Sequence, residues 1–200
     1  MAEPSPSPAA GRPRSSEASA RILRATVELL AHSGAGGVSV EAVAARAQVS
    51  RPTVYRRWAD RTQLIAAAVR DAFAQVNPSA PSTPDPATDL ITVLTNTIRL
   101  LVGTDLGRII AGLVGEIPRS PELADALHEV ERERRQILHQ ILCRAENQGR
   151  LRTPDPDLAV DVLLGPVYLR LLVTGDPVPE ALARELAALV IDPQPGGTPT

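Results

Sequence analysis

The sequence predicts an all-α protein, and three observations carry that reading. Hydrophobic residues make up 44% of the 200 positions but aromatics only 2%, so the core must be built from Leu, Val, Ile and Ala, which pack well between helices. Apolar residues recur three and four apart along most of the chain. No useful length alternates apolar and polar residues at period two, so strands are not indicated.

About nine helices are expected. In the first, Ile22, Leu23, Val27, Leu29 and Leu30 share helical spacing, and Gly34 to Gly37 stops it. Ser39 caps a second helix whose buried face begins with Val43 and Ala44. Behind Ser50 a third runs from Arg51 to about Trp58. A fourth begins near Asp60 and carries Leu64, Ile65, Ala68, Val69 and Phe73. Five more are expected at about 87–102, 105–115, 121–148, 155–174 and 179–191. Pro- and Gly-rich stretches divide the chain into a disordered tail (1–15), an N-terminal domain (16–76), a linker (77–86), a C-terminal domain (87–192) and a second disordered tail (193–200).

Charge separates the two halves. Residues 1–76 hold ten Arg against six acids, a balance of +4, whereas residues 77–200 hold eleven Arg against seventeen acids, a balance of −6. The first half suits a polyanion and the second does not. Cys143 is the sole cysteine, which excludes an internal disulfide and the usual cysteine zinc clusters. No run reaches the roughly 18–20 apolar residues of a membrane span, and the Pro- and Ser-rich start lacks the apolar core of a secretory signal. A cytoplasmic protein without membrane contact is expected.

Residues 39–58 form the constellation that points to chemistry. Two short helices crossing steeply need a small residue at their contact, a tight turn, and apolar residues locking the second helix to the first. Ala44, the turn Gln48-Val49-Ser50, and Val54 with Trp58 meet those needs. With Val54 and Trp58 inward at i and i+4, helical geometry pushes Arg51, Thr53, Tyr55 and Arg56 outward, with Pro52 tolerated in the first turn. Arg can pair with guanine, a Thr methyl can meet a thymine methyl, and Tyr can bond a phosphate. Ser39 and Ser50 at helix starts and Arg61 at the fourth helix are expected to add phosphate contacts. The predicted DNA-binding set is thus Ser39, Ser50, Arg51, Pro52, Thr53, Tyr55, Arg56 and Arg61, on a helix-turn-helix.

This region resembles the TetR family of bacterial regulators. The similarity runs from Ala25 through Val69: Leu29-Leu30 and Gly34, then Val38-Ser39-Val40, Ala44, the run from Val49 to Trp58, Arg61, and Leu64-Ile65. The resemblance implies that Tyr55 and Arg61 bind phosphate and that Arg51 to Arg56 contact bases and backbone. Gln48 stands where the family mostly has Gly, Trp58 replaces a usual Phe, and Arg61 a usual Lys. Gly149-Arg150-Leu151-Arg152, Leu163-Leu164-Gly165-Pro166 and Arg170 to Gly175 resemble one branch of the family in its C-terminal half. They imply a ligand-binding and dimerisation domain whose last two helices form a four-helix bundle with a partner.

Apolarity leads to the same dimer independently. The 155–174 segment is apolar on nearly every side, so one face must meet its own core and another a second subunit. The predicted interface is Leu158, Val162, Leu169 and Leu172, with Leu182, Leu186 and Leu189 from the following helix. A bend is expected at Gly165-Pro166. The charge run Glu129 to Arg135 reads as a solvated helix face, and Cys143 as a small core residue. His32, His128 and His139 lack partners at metal spacing, no cofactor is implied, and no nucleophile, base and orienting acid can be nominated for an enzyme.

The function expected is a transcription regulator, a repressor released from a palindromic operator by a small-molecule effector. An aliphatic-lined cavity is expected around 87–148, and movement is expected to pass through the fourth helix as the only link between halves. An architectural DNA binder without effector, and a ligand-binding protein without a DNA role, are the alternatives.

Overall fold

Helix α1 (Pro13–Ser33) buries Ile22, Ala25 and Leu30 along one stripe and satisfies its buried Thr26 by a hydroxyl bond to the Ile22 carbonyl at 2.9 Å. Gly34, at φ 66°, ends it in a conformation open to glycine. The computed structural model describes residues 13–192, so the two expected tails lie outside the described residues except that Pro13 already begins α1. Helices α2 (Val40–Arg46) and α3 (Arg51–Tyr55) follow, and α4 (Arg61–Val76) packs back along α1. The third helix is shorter than expected: past Tyr55 the chain turns, and Trp58 is half-buried outside it.

The second half comprises α5 (Pro86–Gly103), α6 (Leu106–Glu116), α7 (Pro121–Asn147), α8 (Pro156–Leu169) and α9 (Ala181–Val190). Helix α5 packs against α6, α7 and α9 and α8 against α7 and α9, while α4 lies against both α5 and α7. Among the described residues the extended pairing is a single antiparallel bridge, Leu151 with Ile191. At Gly107 an added Cβ would lie 2.3 Å from the Leu101 carbonyl oxygen, so the α5–α6 corner closes only on a glycine. The predicted 155–174 helix is α-helical to Leu169, and Arg170–Thr174 then widens to a π turn. The Gly175 N–H, donating to the Arg170 carbonyl at 2.9 Å with φ 71°, closes that turn.

Residues 77–85 are a strap rather than a free linker. Arg144 of α7 donates to the Pro81 and Thr83 carbonyls at 2.7 and 2.9 Å and pairs with the buried Asp89. Arg150, itself buried, pairs with Asp85 at 2.9 Å and holds the Asp192 carbonyl at 2.8 Å. Together they tie the start of α5 to the end of α7 and the chain's last described residue.

Asp85 also caps α5. The Thr88 hydroxyl, Arg150 and the Thr88 and Ala87 amides outweigh partial burial and hold its carboxyl at about 2, against an ordinary 3.8. Burial alone would raise Asp89, but hydrogen bonds from Arg144 and Thr83 keep it below the usual range. An unfolded Asp85 takes up a proton near 3.8 and the folded one only near 2. Between those values the unfolded chain binds more protons, so stability falls as pH drops. The Asp85→Asn variant, which keeps a capping side chain, is expected to lose less melting temperature than the parent across this window. Parallel melting curves over that range contradict the assignment.

Candidate nucleic-acid interface

The helix-turn-helix rests on a helix ending that its sequence disguises. The Val49 N–H donates to the Ala44 carbonyl at 3.0 Å and the Gln48 N–H to the Ala45 carbonyl at 3.2 Å, the paired bonds of a Schellman ending. This ending needs a left-handed residue, and Gln48 supplies it at φ 55°. A non-glycine residue there costs about 1–2 kcal/mol because its Cβ crowds the following carbonyl, a cost offset by the Schellman bonds and by the burial of Val54 that the turn permits. Buried Val43, Ala44, Ala47 and Val54 then lock α3 onto α2.

With Val54 fully buried, Arg51, Pro52, Tyr55 and Arg56 are exposed, Tyr55 by 51%, and Thr53 is half-buried. The Ser50 and Thr53 hydroxyls are 2.8 Å apart, and Arg56 donates to the Thr53 hydroxyl at 3.4 Å, so the polar face is organised before any partner arrives. Arg51 lies 3.6 Å from Glu41 with both side chains exposed, a weak pair in water. Arg57 turns the other way: it bonds the Ser19 hydroxyl and the Thr53 carbonyl and holds α3 to α1. Ser39 does cap α2, accepting from the Ala42 amide at 3.1 Å. Ser50 precedes α3 without a side-chain cap bond, its hydroxyl being engaged with Thr53.

Arg61 is the first residue of α4, as expected, but its side chain turns toward the second half. It is half-buried, donates to the Ala35 carbonyl, and lies 3.9 Å from Glu116 at the end of α6. Its Nε is buried without a partner. The residue thus sits at the junction of the two halves, and α6 also touches α1. The fourth helix is therefore not the only link between them.

Two of the cavities along α4 also reach α8. One, of about 340 Å³, lies between α4, α6, α7 and the α8 segment and is lined largely by apolar side chains, among them Leu113, Val114, Ile117 and Leu172. The other, of about 230 Å³, lies between α4, α5, α7 and α8. Phe73, Val130 and Arg134 line both. The cavity expected around 87–148 thus takes part of its wall from α4 on one side and from Tyr168 and Leu172 on the other.

Two family models match the chain: residues 22–68 the bacterial regulatory proteins of the tetR family, and residues 80–190 the tetracyclin repressor-like C-terminal domain. The chain belongs to the TetR family. It is 32% identical over 181 residues to the uncharacterized HTH-type transcriptional regulator YdeS of Bacillus subtilis, covering 88% of this chain and 89% of that one. The crystal structure of the TetR-family regulator SCO0332 is 31% identical with a TM-score of 0.68, covering 86% of this chain and 95% of that one. Bacillus subtilis FadR, solved with stearoyl-CoA, shares the fold at a TM-score of 0.67 and 21% identity, covering 85% of this chain and 96% of that one. As a member of this family, the chain is a DNA-binding transcriptional regulator of helix-turn-helix type.

Within this TetR-family fold the predicted dimer residues divide into three groups. Leu158, Leu169 and Leu189 are exposed, by 49%, 53% and 59%, and Val162 is half-buried beside them. Leu182 and Leu186 are buried in the chain's own core, because α9 turns that face onto α5 and α8, so they are withdrawn from the predicted face. Leu172 lines the larger cavity. The exposed Val173 extends the outer patch.

The charge run on α7 is a solvated face only in part: Glu129 and Arg132 are exposed and pair with each other, whereas its other members turn toward neighbouring elements. Arg134 is only 13% exposed, its guanidinium 3.5 Å above the Phe73 ring centroid, and it pairs with Glu131 at 2.7 Å. Neighbouring Arg135 pairs with Asp161 across to α8, and Glu133 with Arg70 of α4. The available signal was spacing: Leu127, Val130, Arg134, Leu138 and Ile141 form one helical stripe, and Arg134 occupies an inward place in it. Cys143 is half-buried, its sulfur 3.5 Å from His139 Nδ1. Among the described residues no cluster of three metal-ligating side chains occurs, and no helix is long and apolar enough to cross a membrane.

Proposed function

We propose that this chain acts as a homodimeric repressor, released from a palindromic operator when a small molecule enters the cavity beside α4. One observation carries the reading: α4, packed along α1 of the helix-turn-helix domain, buries Leu64 and Ile65 and supplies Val69 and Phe73 to the cavity wall. A molecule that alters the wall alters the seat of the reading head. FadR, with the same fold, accommodates stearoyl-CoA, a precedent for a small molecule within this architecture.

Arg51, Thr53 and Arg56 are assigned to the major groove, with Tyr55, Ser39, Ser50 and Pro52 along the backbone. Two-fold symmetry then calls for inverted half-sites about one helical turn apart or a multiple of it. The exposed patch of Leu158, Leu169, Val173 and Leu189 supports pairing through α8 and α9, since an apolar patch of this kind needs cover. Arg61 is the coupling residue. It is a phosphate-binding position by family likeness, yet here it lies against Ala35 and Glu116. Glu116 adjoins Ile117 in the cavity wall, so a ligand there biases whether Arg61 stays with the protein or reaches DNA.

The central test is a footprint on genomic fragments selected by the purified protein. Replacing Tyr55 and Arg56 by Ala is expected to weaken operator binding by about 1–3 kcal/mol for each lost base contact; unchanged affinity rules out this reading face. The Leu169→Glu variant is expected to sediment as a monomer, and a persistent dimer moves the interface elsewhere. Glu116→Gln is expected to tighten operator binding a few-fold, a modest effect because the pair is half exposed. If operator affinity and effector response both stay as in the parent, Glu116 has no part in coupling.

A further inference from the structure

A charged side chain in an apolar wall is costly unless something there needs it. Arg134 is such a side chain. Its Nη1 donates to Glu131 Oε2 at 2.7 Å and to the Tyr168 hydroxyl at 2.5 Å. A guanidinium has five N–H donors in a planar fork. No hydrogen bond to Nε or Nη2 is made among the described residues, and neither atom is sealed from solvent. Since Arg134 lines both cavities, these donors stand open beside them.

The surroundings decide what those donors can take. Arg134 is pinned: Phe73 lies beneath it at 3.5 Å, and the Tyr168 ring centroid is 5.9 Å away. Burial, the largest influence, raises the Tyr168 phenol above its ordinary value, so this hydroxyl is protonated and neutral at physiological pH. Glu131 is the looser partner, with 35% of its side chain exposed against 13% for Arg134. An entering cation would have to share Glu131 with Arg134, a pinned positive charge only 2.7 Å from that carboxylate. An entering anion takes the place of Glu131, which gives up its bonds from Arg134 and, at 3.5 Å, from the Tyr168 hydroxyl and turns toward solvent, and a carboxylate matches the guanidinium fork with two parallel bonds.

From this geometry we infer that the effector is an aliphatic carboxylate, its chain in the cavity walled by Leu113, Val114, Ile117 and Leu172 and its carboxylate on Arg134 in place of Glu131. The inference rests on reading that cavity as the effector site. It adds the headgroup chemistry, names Arg134 as the anchor, and makes Glu131 the internal stand-in for the ligand's charge. The chain would press on Val114 and Ile117, which flank Glu116 at the end of α6.

The test uses the full-length protein, isothermal calorimetry, and four probes with the same carbon chain: octanoate, octan-1-ol, octylamine and octanoyl-CoA. Octanoate is expected to bind at least about tenfold more tightly than the other three. In Arg134→Gln that preference is expected to vanish while octan-1-ol binding persists, which also reports that the variant is folded. Arg134→Lys, keeping the charge without the fork, is expected to fall between, and Glu131→Gln to bind octanoate more tightly than the parent. Binding of octan-1-ol, octylamine or octanoyl-CoA as tight as octanoate overturns the inference, as does octanoate affinity unmoved by Arg134→Gln, or no binding of any probe. Operator release, followed in parallel, separates the two readings. Arg134-dependent octanoate binding that leaves the operator bound upholds the carboxylate site and refutes release. Release by octan-1-ol that is insensitive to Arg134 upholds the effector cavity and refutes the carboxylate.

Discussion

Helix α4 has to pack on α1 and on the helices of the second half at once, within one continuous core, and the rest of the molecule is arranged around that constraint. Its first turns bury Leu64 and Ile65 with α1, and its later turns present Val69 and Phe73 to α5, α6 and α7. A helix held on both sides cannot shift one contact without shifting the other, because packed interiors are close to incompressible. The N-terminal helices and the cavity wall are therefore joined by packing through α1 and α4, and Arg61 with Glu116 adds a polar contact across the same junction.

The polar groups inside the second half follow a division of labour. Asp85, Asp89, Arg144 and Arg150 are mutually satisfied and anchor a strap, so their buried charge goes into holding the start of α5 in place. Arg134 is different in kind. Its stacking on Phe73 and its pairing with Glu131 leave part of its donor set open, and that open capacity faces space large enough for a ligand. The Arg144 and Arg150 pairs bind segments distant in sequence, whereas the Arg134 pair lies within α7 beside a cavity, so the three serve different ends.

Much of the fold was legible because helices write their period into the sequence. The caps Ser39 and Asp60, the glycine stops, and the stripes of Leu, Val and Ile place nearly every helix within a few residues. The departures came where tertiary contacts compete with local preference. Helix α3 ends early at Tyr55, the helix through Pro166 widens into a π turn after Leu169, and a Pro-rich stretch that reads as linker is bound down by Arg144. Gln48 is a telling case: nothing in its own chemistry announces a left-handed turn, but the Schellman bonds around it require one.

By itself the sequence determined the all-helical class, the division into a basic and an acidic half, and the outward set Arg51, Thr53, Tyr55 and Arg56, since each follows from spacing along one helix. Only the tertiary structure decided which residues from distant helices meet. It drew Leu182 and Leu186 into the chain's own core, turned Arg61 toward Glu116, and set Arg134 over Phe73 between two cavities. The physical reason is that periodicity tells which face of a helix is apolar, whereas the neighbour that covers it depends on how the helices cross. A charged residue on an inward stripe reads as solvated until the ring beneath it is known.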